Sequence, residues 1–500
     1  MTFGILILLI FAAAAVLMFL RKLPALLALP LMAIAIAMLE VVSGRLSFHD
    51  LALAVVADGS IRLADPIVIS MFGGMISLLM QKAGVAESFV KKGAELAGDS
   101  PLVVAAVMLA IIATLFTTIG GLGAVIMVGT IVLPILASIG VKEYISAGLV
   151  LFGISLGGLL NANNWAIYTS VLGLDRAVVS SYALMLFALV AVVGVLFLAV
   201  ELWRSRVLRL KKRALVRVAM AGVVVVLIAM VAIWLAPLGE ALDVASFTKA
   251  VVALGFSACV VVMVRHAVRT WKDPGLAQVH LTSYLIPVVP LVLILVYDVP
   301  YVPAFIGGLL YGILATLRKG SLNLVTRSVI DGSASVIPAV VLMIGIGMLL
   351  SAILGPTPAG PGAYWHAQAA PSGSALAAWP VLEDMQPLLR TVVPESFLGY
   401  VLVFTLLGPL ALYRGPLKVW GLGYGVGGVL LATGVDPGAV MGILMSMGII
   451  QGVSDPTNTQ NVWLANEVRL DVNVIMWRTL PYSWIVAALG LVIAGIRFVL

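Results

Sequence analysis

The chain has 500 residues, of which 62% are hydrophobic and 10% charged, with a mean hydropathy of +1.18. Soluble domains carry roughly a quarter charged residues, so this composition excludes a water-soluble globule, and the alternating ten-residue strands of a membrane β-barrel are absent from the sequence. The net charge of +7 follows loop placement, not a nucleic-acid surface, and the single cysteine, Cys259, excludes an intramolecular disulfide or a thiolate metal cluster.

Apolar runs of about 17–25 residues, enough to cross a hydrocarbon core of roughly 30 Å, recur along the whole length. Phe3–Leu20 has no cleavage-like small-residue site and is followed at once by another apolar run, which predicts a first span and not a signal peptide. Leu23–Val42 leaves from Arg21 and Lys22, and Pro66–Gln81 re-enters. Leu102–Phe116 and Ala124–Ser138 have 15 residues each, short for full crossings. They lie between Lys91/Lys92 and Lys142, which predicts a hairpin entering and leaving at the cytoplasmic face. Tyr144–Thr169 then exits and Ser181–Val200 returns to the basic run Arg204–Arg217. Val218–Leu235, Val251–Val264, Leu281–Val296, Val302–Leu317 and Val336–Leu354 cross alternately. Between the last two, "RKGSLNLVTR" (318–327) reads as a cytoplasmic loop, and Gly355–Val393 as a long extracytoplasmic one. Glu395–Gly434 leaves from and returns to the outside, a broken span over 438–466 follows, and Val474–Val492 is last. Threaded this way, 21 of the 29 Lys and Arg face the cytoplasm, as expected because positively charged loops resist translocation.

The threading contains a repeat. A hairpin with "TTIGGLG" (Thr117–Gly123) at its tip precedes a span interrupted at "NANNW" (Asn161–Trp165) and then a plain span. A hairpin with "GPLALYRGP" (Gly408–Pro416) precedes a span interrupted at "SDPTNTQN" (Ser454–Asn461) and a plain span. The order is the same and the orientation opposite. This predicts an all-α polytopic membrane protein with two inverted-topology repeats, each carrying a re-entrant helical hairpin and a broken transmembrane helix, the architecture of secondary transporters. The expected division is an N-terminal repeat at 1–203 with hairpin 102–138 and broken helix 144–169, and a basic cytoplasmic linker at 204–217. A C-terminal repeat at 218–500 follows, with the extracytoplasmic loop 355–393, hairpin 395–434 and broken helix 438–466.

Backbone groups in hydrocarbon must be paired, so a helix broken at membrane depth is tolerated only inside protein or beside a wet cavity. The break frees N–H groups that attract anions and C=O groups that can coordinate Na⁺. Neutral Asn, Ser and Thr side chains can replace a hydration shell without burying a charge. The expected substrate-binding residues are therefore Thr117, Thr118, Gly120, Gly121, Asn161, Asn163, Asn164, Ser454, Thr457, Asn458 and Thr459. Arg414 joins them as a fork for a carboxylate. Asp455, an intramembrane acid, with Asn163 and Asn458, is the expected place of a coupling Na⁺ or H⁺.

The segments "TTIGGLGAVIMVGTIVLPIL" and "GLLNANNWAIYTS", within Leu102–Ser170, resemble the first half of the citrate–metal–proton symporter family. "GVSDPTNTQNVWLANEVRLDVNVIMWRTLPYSW" is similar in layout to the last segment of that family and of the gluconate permeases, and the N-terminal "RKLPALLALPLM" also resembles them. Both belong to the ion transporter superfamily, which includes sodium-coupled dicarboxylate symporters with paired hairpins. The chain departs from the citrate family in its first hairpin, where that family carries an acidic residue and this chain has "TIGGLG". The resemblance implies a homodimer in a bacterial-type plasma or inner membrane, moving a small organic anion by alternating access with Na⁺ or H⁺. The alternative is a Na⁺/H⁺ antiporter of the same superfamily, a class that usually needs several midmembrane acids. An intramembrane enzyme has no nucleophile–base or metal-ligand spacing here, so no cofactor, nucleic acid or catalytic residue is expected.

Overall fold

The computed structural model describes residues 2–20, 22–208, 244–272, 279–318, 321–365, 379–389, 394, 396–413, 415, 417 and 419–500, and among these every regular element is helical. Among the described residues nine helical runs are long and apolar enough to cross a membrane, and the protein is an integral multi-pass membrane protein. Val218–Leu235, most of the basic run Arg204–Arg217, and Arg414 lie outside the described residues.

The first half runs α1 (Thr2–Phe19), α2 (Ala25–Val42), α3 (Phe48–Lys82), α4 (Val85–Ala97), the hairpin α5 (Pro101–Phe116) and α6 (Gly121–Ser138), the interrupted α7 (Glu143–Leu160) and α8 (Ala162–Leu172), and α9 (Arg176–Arg204). An additional helix, α10 (Val244–Lys272), follows. The second half runs α11 (Val289–Tyr297), α12 (Tyr301–Ala315), α13 (Ser321–Ser335), α14 (Ile337–Leu354), α15 (Pro380–Leu389), the hairpin α16 (Phe397–Leu407) and α17 (Tyr424–Ala432), the interrupted α18 (Pro437–Ser454) and α19 (Thr459–Glu467), and α20 (Val472–Phe498).

The packing is reciprocal between halves. α6 packs on α19 and its counterpart α17 on α8; α7 packs on α20 and α18 on α9; α2 packs on α14 and α12 on α3; α1 meets α15 while α4 meets the turn Leu281–Leu285 that precedes α11. α7 against α18 and α9 against α20 are self-paired. Such exchange of partners is what a pseudo-two-fold axis requires, and it makes the two halves structural repeats. Among the described residues α10 has no counterpart in the other half.

Two expectations are corrected. The third span is not confined to Pro66–Gln81: α3 begins about 27 Å earlier in the chain's rise (~1.5 Å per residue), at the Ser47–Asp50 capping box, and passes through a π-helical stretch at Leu51–Ala57. Two of its polar residues bond to distant segments. Asp58, wholly buried, accepts from Thr357 N and Oγ1 at 2.8 Å each, and Arg62 donates to Gly355 O at 2.8 Å. The expected loop at 318–327 is instead largely the start of the amphipathic α13, whose Ser321, Ser328 and Gly332 are buried and which packs along α3. Glycines set the two crossings. A Cβ on Gly74 would stand 2.4 Å from Gly332 O, and one on Gly347 2.2 Å from Gly59 O. Small residues here let backbones touch. The sequence carries this symmetry too: Asp58-Gly59-Ser60 and Asp331-Gly332-Ser333 are each followed, fifteen residues after the glycine, by Gly-Met.

The stretch after α14 also differs from a plain loop. Trp379 is buried and its Nε1 donates to Ala352 O at 2.9 Å, and α15 buries Val381, Leu382 and Met385.

Candidate functional site

Each hairpin runs parallel to the helix whose interruption it faces. The Cβ direction of Gly153 meets Leu109 and Ile112, that of Gly157 meets Ala113 and Phe116, and Asn161 Nδ2 donates to Phe116 O at 3.3 Å. α5 therefore stops level with Asn161. α8 continues for 11 residues beyond, about 16 Å at 1.5 Å per residue, so the chain turns back before completing a crossing. In the second half Tyr400 Oη donates to Ala439 O at 2.8 Å, Gly408 faces Ile450, and Tyr413 N donates to Asp455 Oδ1 at 3.0 Å. The second tip stops level with the second break, and α19 adds 9 residues past it. Both hairpins are re-entrant, with tips at the breaks.

Most amides at the breaks cap carbonyls. The last carbonyls of α7 and α18 lack the regular intrahelical donors, although Gly158 O and Gln451 O each accept one C-cap backbone N–H, from Asn161 and Asp455 at 3.3 Å. In the first break Asn164 Nδ2 donates to Gly158 O at 2.7 Å and Trp165 Nε1 to Leu159 O at 2.7 Å. In the second, Asn458 Nδ2 donates to Gln451 O at 2.6 Å, Gln460 Nε2 to Gly452 O at 3.3 Å and Asn461 Nδ2 to Val453 O at 3.1 Å. Asn161 accepts from Asn163 N at 3.0 Å and so caps α8. Asn163 is different: its Oδ1 accepts from Ser70 Oγ of α3 at 3.1 Å, and the residue is half-buried.

The remaining expected residues divide. Thr117 and Thr118 are buried, and both hydroxyls donate to Pro287 O, tying the first tip to the segment before α11. Ser454 is turned toward α20, 2.9 Å from both Thr479 Oγ1 and Ser483 Oγ. Thr457 donates from N (3.0 Å) and Oγ1 (2.8 Å) to Asp455 Oδ1. Asp455 is wholly buried, with three donors on one oxygen. Thr459 is exposed at the first position of α19. Gly120 and Gly121 are exposed, a Cβ on either would meet nothing within 4 Å, and Gly121 has φ +81°.

Two helix N-termini at this level carry no side-chain cap: α6, entered through Gly120, and α19, entered through Asn458. The two helices pack side by side further along, since the Cβ direction of Gly129 runs into the Trp463 indole, and both start from the polar layer. Gly120, Gly121 and Gly123 leave the α6 terminus bare to open space. Bare N–H groups and the positive ends of two helix dipoles suit an anion.

Residues absent from the expected set are Ser70, Gln451, Gln460 and Asn461. Gln451 Oε1 accepts from Val419 N at 2.8 Å, joining the second hairpin to α18. Asn461 is buried and its Oδ1 has no hydrogen-bond donor among the described residues, which makes it an available cation ligand. The signal for Gln460 and Asn461 was present: Asn161-Ala-Asn163-Asn164 and Asn458-Thr-Gln460-Asn461 share the pattern Asn-x-Asn/Gln-Asn. Among the described residues no group of three His, Cys, Asp or Glu could hold a metal ion.

No family model matches the chain, so neither the citrate–metal–proton symporter nor the gluconate permease resemblance is carried by one. No curated protein matches it either. Among solved structures it is similar to the Alcanivorax borkumensis YdaH transporter, a structure described as having an unusual topology. The match covers 88% of this chain and 86% of that one, at 14% identity and a TM-score of 0.41. A likeness at that level decides neither substrate nor mechanism.

Proposed function

We propose that the protein is a secondary active transporter that moves a small carboxylate or other organic anion by alternating access, coupled to Na⁺ or H⁺. The observation that carries this reading is the pair of N-termini without a side-chain cap, on the packed helices α6 and α19, which both start from a polar layer built from two hairpin tips and two helix breaks. Each bare terminus offers about 0.3–1 kcal/mol to an anion near solvent, more when partly buried. Asp455 and the orphan Oδ1 of Asn461 are the oxygens proposed for the coupling ion.

Departure from symmetry supports alternating access. α8 packs on α3 and α12, whereas its counterpart α19 has no comparable seat on α14 or α2 among the described residues. Beside α8, Arg176 of α9 donates to Val299 O at 2.7 Å and pairs with Asp298. The positions matching Asp298 and Arg176 at the opposite end are Lys22, two residues before Pro24 as Asp298 is before Pro300, and Val472, the first residue of α20 as Arg176 is of α9, with the N-cap Asp471 beside it. Lys22 and Asp471 form no ion pair with each other. With the basic loops in the cytoplasm, this arrangement is closed outside and open inside, and transport would exchange the two seatings.

The test is uptake into proteoliposomes of labelled mono-, di- and tricarboxylates under imposed Na⁺ or pH gradients. Saturable carboxylate uptake that one gradient drives is expected. Na⁺/H⁺ exchange with no carboxylate uptake would replace this reading with the antiporter.

A further inference from the structure

We propose that the groove between α10 and the end of α12 binds one anionic phospholipid, with an acyl chain in the groove and the phosphate at its basic, cytoplasmic end. α10 is the helix outside the repeat, and only 6% of its apolar window is buried. Leu254, Val260, Val261 and Val264 are all exposed, and in a membrane such a face meets lipid. Between α10 and α12 lies a groove of about 300 Å³, floored by buried Met263 and Ala267 and walled by Val264, Val268, Leu314 and Leu317. Its lining is almost wholly apolar.

At one end the character changes. Leu317 also lines an adjoining recess with His266, Thr270, Ser283 and Arg318. The hydroxyls of Thr270 and Ser283 already donate to backbone carbonyls, at 3.1 Å to His266 O and 3.1 Å to Ala315 O. Burial and the adjacent His266 hold the His280 imidazole below its usual range, which leaves it uncharged near neutral pH. The permanent positive charge lining this end is Arg318, and Arg265 and Arg269 lie exposed on the same stretch of α10. None of these three arginines has a carboxylate partner among the described residues.

An apolar slot open to the membrane that ends at the Arg318 guanidinium on the basic face matches a molecule with a hydrocarbon tail and a fixed negative head. Basic pockets between helices on the cytoplasmic side bind anionic head groups for this reason, and the guanidinium fork matches a phosphate. A zwitterionic head would add an ammonium to a site whose described lining residues include no acid to receive it, so the site should discriminate by head group.

Native mass spectrometry of the delipidated full chain, titrated with phosphatidylglycerol or phosphatidylethanolamine of identical chains, tests this. One tightly retained phosphatidylglycerol is expected, with at least tenfold preference over phosphatidylethanolamine. Arg318→Gln should cut the preference to below threefold while the lipid-free melting temperature stays at the wild-type value. Ala267→Trp, which fills the groove and keeps every charge, should lower retention of both lipids. Equal retention of the two lipids by the wild type, or an unchanged preference in Arg318→Gln, would overturn the proposal. So would efficient cross-linking of Val264→Cys, in a Cys259→Ser background, to a second copy regardless of added lipid, because the groove would then be a subunit interface.

Discussion

Removing the Arg176 latch should open the extracytoplasmic side. The guanidinium donates to Val299 O at 2.7 Å and to Asp298 O at 3.2 Å, pairs with the Asp298 carboxylate and lies 5.7 Å from the Tyr301 ring centroid. The ion pair counts for little, because Asp298 is 82% exposed and solvent-exposed pairs contribute about 0–1 kcal/mol. Charged donors on carbonyls contribute roughly 1.5–3 kcal/mol when sheltered, and the ring about 0.5–1 kcal/mol. With Arg176 a quarter exposed, a total near 2 kcal/mol is reasonable, equivalent to about a 30-fold shift in a two-state equilibrium. Asp298→Asn keeps the backbone carbonyls and should shift it less than about fivefold. The reporter is a cysteine at Ile167, wholly buried and one turn from Asn163 on the stripe facing α3, in a Cys259→Ser background. Its labelling by an impermeant thiol reagent added outside should rise about 10–30-fold in Arg176→Ala. An unchanged rate would show that this contact does not hold the outer side shut. Equal rates in Arg176→Ala and Asp298→Asn would show that the carboxylate, not the backbone carbonyls, carries the energy.

The amides separate into two classes. Asn461→Ala should lower unfolding stability by about 1–3 kcal/mol, because it strands the helix-end carbonyl of Val453, and Asn164→Ala by about 0.5–1.5 kcal/mol, because Gly158 O keeps the Asn161 N–H. Asn163→Ala should keep its melting temperature and lose uptake; an equal loss of stability in Asn163→Ala would make that residue structural. Asp455→Asn should retain substrate counterflow but lose gradient-driven accumulation, since an amide oxygen lacks the charge that offsets a desolvated cation; accumulation at wild-type level would remove Asp455 from the coupling site. Gly74→Val should depress the melting temperature strongly, given the 2.4 Å approach of its Cβ direction to Gly332 O, whereas Gly255→Ala, with nothing within 4 Å, should be neutral or slightly stabilising. Impermeant labelling of Ser138→Cys and Ala359→Cys should place them on opposite sides; labelling from one side would break the inverted topology.

Hydropathy located most of the apolar helices, because burial in lipid is a property of each segment alone, but Leu281–Val296, expected as one crossing, is a 3-10 turn at Leu281–Leu285 followed by the nine-residue α11. Hydropathy also sufficed for the hairpin α5–α6 and for both breaks, since Gly, Asn and Pro clusters inside apolar runs have no other reason to be there. Polar residues at span ends were not legible in the same way. A sequence window cannot distinguish a charge that faces water from Asp58, whose partner Thr357 is 299 residues away, so the first turns of α3 read as loop. α13 was hidden for a related reason: its polar face reads as loop, and its small buried face becomes meaningful only against Gly74 of α3. The same limit applies to the site. The sequence identified amide clusters at membrane depth, but an amide side chain is equally able to cap a carbonyl, bridge two helices or coordinate an ion. Which of these Asn458, Asn163 and Asn461 does depends on the groups within about 3 Å, and only the packing of the two repeats across their axis decides that.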